Sequence, residues 1–167
     1  VQPAFASPQA KVANDRADIS FPIAVTFSAT ISADTDITSV VLEYGTEQLT
    51  CGEVVAKAFP QFTPARTVDV EWTWEMRQSG SLPPGATIWW RWRYTDETGK
   101  EAVSTQKTVT WLDSKHNWKT LTADKLNLHY YSGTQAFAQD LLNAAKSGLD
   151  FNSTQSGLNA ESPIDLY

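Results

Sequence analysis

Sulfur and imidazole are scarce in this chain: its 167 residues include one cysteine, one methionine and two histidines. A lone Cys51 excludes an intramolecular disulfide framework and any multi-cysteine zinc site. His116 and His129 are too few and too far apart in sequence for a histidine-rich metal centre. No H-E-x-x-H pair, G-x-S-x-G elbow or phosphate-cradling glycine loop occurs, so no catalytic residue, metal or cofactor is expected. Positive charge is short as well. Lys+Arg number 13 against 19 for Asp+Glu, a formal charge of −6, which argues against nucleic acid or an anionic membrane as partner. Long apolar runs are missing too, since nothing approaches the roughly 18 residues of a membrane span.

What the chain does have is tryptophan, seven in all, within an apolar fraction of 41% that is enough for a core. From about Phe21 to Asp113 the hydrophobic period is two, not 3.6. Val25, Phe27, Ala29 and Ile31 alternate with polar residues, as do Val40, Leu42 and Tyr44. Val68, Val70, Trp72, Trp74 and Met76 form a longer set, followed by Ile88, Trp90, Trp92 and Tyr94, then Val109 and Trp111. Weaker segments near Val12 and at Leu49–Phe59 offer further strands. Turn residues fall between the sets, at Ala33–Asp36, Pro60–Pro64, Ser79–Gly85 and Asp96–Gly99. The pattern predicts a mainly β chain, an antiparallel β-sandwich of immunoglobulin or fibronectin III kind followed by a small β-α-β segment. Without a cysteine pair, its core must rest on Trp72, Trp74, Trp90, Trp92 and Trp111, each burying about 150–250 Å².

Beyond Asp113 the period changes. Leu126, Leu128 and Tyr130 alternate, Ser132-Gly133-Thr134 offers a helix cap, and Phe137, Ala138, Leu141, Leu142, Ala145 and Leu149 fit one helical face. Asn152–Asn159 is expected as polar loop, and Ile164–Tyr167 as a strand paired in parallel through the crossover. The expected division is a leader or arm at 1–16, a sandwich at 17–113, a linker at 114–125 and the β-α-β segment at 126–167. Ala4-Phe5-Ala6 before Ser7 matches the end of a secretory signal, which predicts a secreted or cell-surface protein. Cys51 is expected as a buried free thiol, His116 as a linker residue, and His129 on the wet side of its strand. Asn152-Ser153-Thr154 matches the N-glycosylation acceptor pattern.

Several ordered segments carry a family likeness. They are Phe21-Pro22, Ile37, Val40-Val41-Leu42-Glu43-Tyr44, Leu82-Pro83-Pro84-Gly85-Ala86, Trp90-Arg91-Trp92 and Asp96-Glu97-Thr98-Gly99. Trp111-Leu112-Asp113, Trp118-Lys119-Thr120-Leu121 and Leu128-His129-Tyr130-Tyr131-Ser132-Gly133 follow, leading into Phe137, Ala138, Leu141, Leu142 and Ala145. In that order the chain resembles the N-terminal region of bacterial secreted peptidase MA-like (gluzincin) proteins. The resemblance implies a sandwich ahead of the opening β-α-β unit of a zinc peptidase domain, stopping short of the zinc motif, so no catalytic residue carries over.

Three functions compete at this level. One is a non-catalytic accessory module of such a peptidase, acting through protein–protein contacts. Another is a subunit of an extracellular filament or surface layer. It would self-assemble by strand pairing through an arm bearing Val1, Phe5 and Val12 and a terminal strand bearing Ile164, Leu166 and Tyr167. The last is a glycan-binding module, in which Trp89 shows its indole on the face opposite Trp90 and Trp92, flanked by Arg91 and Arg93. That same row would serve equally for a protein partner.

Overall fold

The computed structural model describes residues 11–46, 55–79, 82–157 and 159–167. Val1, Phe5 and Cys51 lie outside the described residues. The chain divides into two compact units, Val1–Asp113 and Ser114–Tyr167.

The first unit is a curled antiparallel sheet, consistent with a β-sandwich, and it is organised by one long strand. After β1 (Lys11–Ser20), strand β2 runs without interruption from Ala24 to Thr46. Its first half pairs with β1 on one side and with β4 (Ala65–Glu75) on the other. Its second half pairs with β3 (Ala56–Ala58) and with β5 (Thr87–Asp96). Beyond β5, the far edge is shared by β6 (Glu101–Val103) and β7 (Lys107–Thr110). Ala33–Asp36, expected as a turn, is instead a bend inside β2, with the ladder shifting register between Ser32 and Ile37 and again between Ile37 and Ser39. Such irregularities bend a strand and increase its twist. Val25, Phe27, Ala29 and Ile31 before the bend therefore line the same core as Ile37, Val40 and Leu42 after it.

Trp90, Trp92 and Trp111 are buried in that core, as the alternation requires. Trp74 is only partly buried, and Trp72 remains 38% exposed. Both lie near the end of β4, which among the described residues has β2 as its one ladder neighbour, so the inward row runs out to the periphery. Strand β1 corrects the expected boundary at 16: residues 11–16 belong to the sheet, and Val12 pairs with Ile31 rather than forming part of a free arm. A register shift between Ala13 and Arg16, with Asn14 at φ 52, turns Asp15 inward. Its carboxylate accepts from Trp90 Nε1 at 2.8 Å and Trp92 Nε1 at 3.0 Å, and Lys107 Nζ stands 3.4 Å away. Burying two indole N–H groups requires such an acceptor.

Two of the expected turns are present. Gly85, at φ 82, closes the Pro83-Pro84 turn. Gly99, also at φ 82, closes the β5–β6 hairpin, where Asp96 accepts from Thr98 Oγ1 and the amides of Thr98 and Lys100. Thr98 first, then these amides, hold Asp96 below its ordinary range. A one-turn helix, α1 (Met76–Ser79), follows β4 and sinks Met76 into the core.

In the second unit, part of the expected linker is a strand. β8 (Lys119–Ala123) pairs antiparallel with β9 (Leu126–Tyr130), and β9 pairs in parallel with β10 (Ile164–Leu166) across the helix α2 (Gln135–Ser156). Thr134 caps α2 by accepting from the Phe137 amide, and Gly157 ends it at φ 71. The expected loop from Asn152 is corrected: the helix continues to Ser156. In its last turns the Thr154 and Ser156 hydroxyls donate to the Asp150 and Asn152 carbonyls. The acceptor pattern at Asn152 therefore lies on a helix. The single apolar face is corrected too. Ala138, Leu142, Ala145 and Leu149 pack on Leu126 and Leu128, while Phe137 and Leu141 stay 59% and 47% exposed. Among the described residues, no helix is long and apolar enough to cross a membrane.

Candidate functional site

The outer face of β5 begins as an alternation and ends as a constellation. Ile88, Trp90, Trp92 and Tyr94 point into the core, so Trp89, Arg91 and Arg93 line the other face, each half-buried. The ladder sets Trp89 opposite Gly45, Arg91 opposite Glu43, and Arg93 opposite Val41 on β2. At Gly45 a Cβ would fall 3.0 Å from Trp89 Cζ2 and Nε1. The indole therefore lies against the Gly45 backbone, closer than a side chain at that position would allow without displacing the ring. Thr108 of β7 sits on the other side of Trp89 in the ladder.

Beside this platform, Glu43 is 2% exposed and surrounded by cations. Arg91 Nε donates to its Oε2 at 2.6 Å, and Arg93 Nε donates to its Oε1 at 2.9 Å. Lys57 Nζ lies 3.8 Å from Oε1, and Arg93 also bonds Glu101. The hydrogen bond from Arg93, joined by that from Arg91, holds Glu43 below the ordinary carboxylate range although burial pushes the other way. Burying a carboxylate is tolerated only with such pairing. The two arginines thus serve the fold itself, since they hold Glu43 and are held by it. What the face offers a ligand is a fixed indole beside fixed guanidinium groups.

Sequence reasoning picked Trp89, Arg91 and Arg93 but missed Glu43 and Gly45. Their signals were present: a lone glycine in an alternating strand, and a glutamate directly before an apolar tyrosine. The other candidate residues lie elsewhere. Val12 is in β1, and Ile164 and Leu166 pack partly buried against Leu126 and Leu128. Tyr167 stacks on His129 with centroids 4.5 Å apart. His129, on the face of β9 away from α2, engages Asp165 Oδ1 through Nε2 at 2.8 Å and Thr120 Oγ1 through Nδ1 at 3.0 Å. The hydrogen bond from His129, aided by Asn127, lowers the Asp165 carboxyl. His116 stacks on Tyr131 at 4.0 Å. Among the described residues no group of three His, Cys, Asp or Glu side chains is placed to hold a metal ion.

No protein-family model matches the chain, and no curated protein matches it. Among solved structures, wild-type OgpA from Akkermansia muciniphila is similar over 65% of this chain, with a TM-score of 0.49 and 6% identity. That similarity spans 29% of the OgpA chain. The Br derivative of BhCBM56 is similar over 63% of this chain and 95% of its own, with a TM-score of 0.39 and 12% identity. Likenesses at this level carry no functional argument, so the side chains must supply it.

Proposed function

We propose that the first unit is a non-catalytic binding module of a secreted or cell-surface protein, which holds a glycan against the outer face of β5. The observation that supports it most is the Trp89 indole seated against Gly45, where a Cβ would fall 3.0 Å from Cζ2 and Nε1. That part of the ring is packed on backbone, and the half-exposed remainder is an apolar surface against which the C–H face of a sugar ring can stack. Ordering costs little because the ring is already fixed. Arg91 and Arg93, locked by Glu43, stand beside it as donors to sugar hydroxyls. The test is binding of oligosaccharides to the full chain, read by titration calorimetry, with Trp89→Ala and Gly45→Val. Both substitutions are expected to weaken binding about tenfold or more, the first by removing the ring and the second by displacing it. Unchanged binding in both would overturn the reading.

A further inference from the structure

The charges on the outer face around β5 do not balance. Lys57, Glu43 and Arg91 follow one another across the ladder, and Arg93 and Glu101 lie beyond them toward the β5–β6 hairpin. Glu43 draws Lys57, Arg91 and Arg93, and Arg93 also holds Glu101, so three cations share two carboxylates. The excess lies on the solvent side. Glu43 is buried, whereas the side chains of Arg91 and Lys57 are 35% and 55% exposed. Glu101, the exposed anion of the group, is already taken by Arg93.

The two arginines are not equivalent. Arg93 has all three nitrogens engaged, Nε and Nη2 on Glu43 and Nη1 on Glu101. Arg91 uses only Nε, on Glu43 Oε2 at 2.6 Å. Among the described residues its Nη1 and Nη2 meet no acceptor, so one edge of the guanidinium is unused while the other is anchored. A guanidinium donates and never accepts. Its paired N–H groups match the oxygens of a carboxylate or sulfate, and a charged acceptor makes the stronger bond than a neutral hydroxyl.

Trp89 precedes Arg91 by two residues on the same face, about 7 Å along the strand. A sugar ring seated against the indole therefore brings an anionic substituent, on that ring or the next, within reach of the free Arg91 edge. Resting on the glycan reading of the β5 face, we infer that the glycan held there is an acidic one, whose carboxylate or sulfate is received by Arg91. The overall charge of −6 is compatible with this. Exposed charges more than about 8–10 Å away are largely screened at physiological salt, and the five groups at the site are cationic in sum.

The experiment is calorimetric titration of the full chain with matched ligands. Oligogalacturonides are compared with the same oligomers as methyl esters, and carrageenan oligosaccharides with their desulfated forms; the two arms separate carboxylate from sulfate. An oligoglutamate peptide is the anion without a sugar. One acidic oligosaccharide is expected to bind about tenfold more tightly than its masked form, with the gap narrowing as salt is raised. That comparison needs no variant, so it stands even where a substitution unfolds the chain. Arg91→Lys keeps a charge for Glu43 but loses the planar fork, and should bring the two members of the pair within about threefold of each other. Glu101→Gln removes the exposed anion and should strengthen acidic binding about threefold, a gain that a damaged fold cannot produce. Equal binding of the acidic and masked members, or a preference that survives Arg91→Lys, would overturn the acidic assignment and leave the glycan reading standing. Absence of binding by either acidic oligosaccharide would overturn it too, with the neutral members still deciding the glycan reading. Oligoglutamate binding as tight as that of the sugars, and unaffected by Trp89→Ala, would overturn both.

Discussion

In the first unit three tryptophans disappear into one core that a single 23-residue strand serves from both halves. In the second, the core is Leu126, Leu128, Ala138 and Leu142, and α2 leaves Phe137, Leu141 and Phe151 in water. The difference is one of geometry. A sheet that curls over itself covers its own inner face, whereas three short strands and one helix can cover only one stripe of that helix. The small unit relies more heavily on local devices, namely the Thr134 cap and the Gly157 stop of α2. The cap contributes about 0.5–2 kcal/mol, less than a buried aromatic.

The comparison breaks most visibly at the large core. Trp92→Ala should destabilise the first unit by about 3–5 kcal/mol, lowering its unfolding transition while the helical circular dichroism of the second unit melts where it did before. Leu142→Ala is the mirror experiment, expected to cost about 2–5 kcal/mol and to melt α2 selectively. Backbone hydrogen exchange resolves the two. If either substitution brings both units down together, their independence is wrong.

A smaller effect belongs to Glu43. Its carboxyl is held below the ordinary value of 4.5, so the unfolded chain binds a proton more readily than the folded one. The stability it contributes is present above that value and is lost as pH falls through the lower folded one. Glu43→Gln should remove that slope from acid unfolding of the first unit, with a loss of about 1–3 kcal/mol at neutral pH. An unaltered acid transition would show that the arginine pairing is energetically idle. The smallest change is expected at the exposed stripe. Leu141→Gln and Phe151→Gln should alter stability by no more than about 0.5 kcal/mol, as for surface positions generally. They should also reduce binding of a hydrophobic dye. A large loss of stability would mean that those side chains are covered.

The mainly β class, the strongest strands and the parallel crossover were legible because their alternation or helical period is carried by large apolar residues. What escaped notice lacked that contrast. Strand β1 turns Asp15 and Ala17 inward along with Ile19, so its inner row reads as mixed; the carboxylate there serves the two indoles, a role visible only in three dimensions. In α2 the periods of the packed and exposed rows are adjacent, and Leu141 beside Leu142 merges them into one apparent face. The β5 row was readable from Trp89, Arg91 and Arg93, but the packing beneath it was not. Which glycine lies under an indole depends on ladder register, and the bend in β2 shifts its register with β5 between Ile37 and Ser39.

That bend also governs how the chain reaches its fold. Strand β2 is made early in the sequence, yet its second half must wait for β5, so that Glu43 meets Arg91 only after 48 further residues have arrived. Its first half waits for β4, with Thr30 reaching Asp69 across 39 residues. Until both arrive, Val25, Phe27, Ile31, Ile37 and Leu42 form an uncovered apolar face on a strand whose backbone is paired along one side with β1 only, the segment most open to pairing with another chain. Pairings this distant in sequence put folding of the first unit in the slow class, milliseconds to seconds. The second unit's β8–β9 hairpin and α2 are local by comparison, so the part with the thinner core should be the first to form.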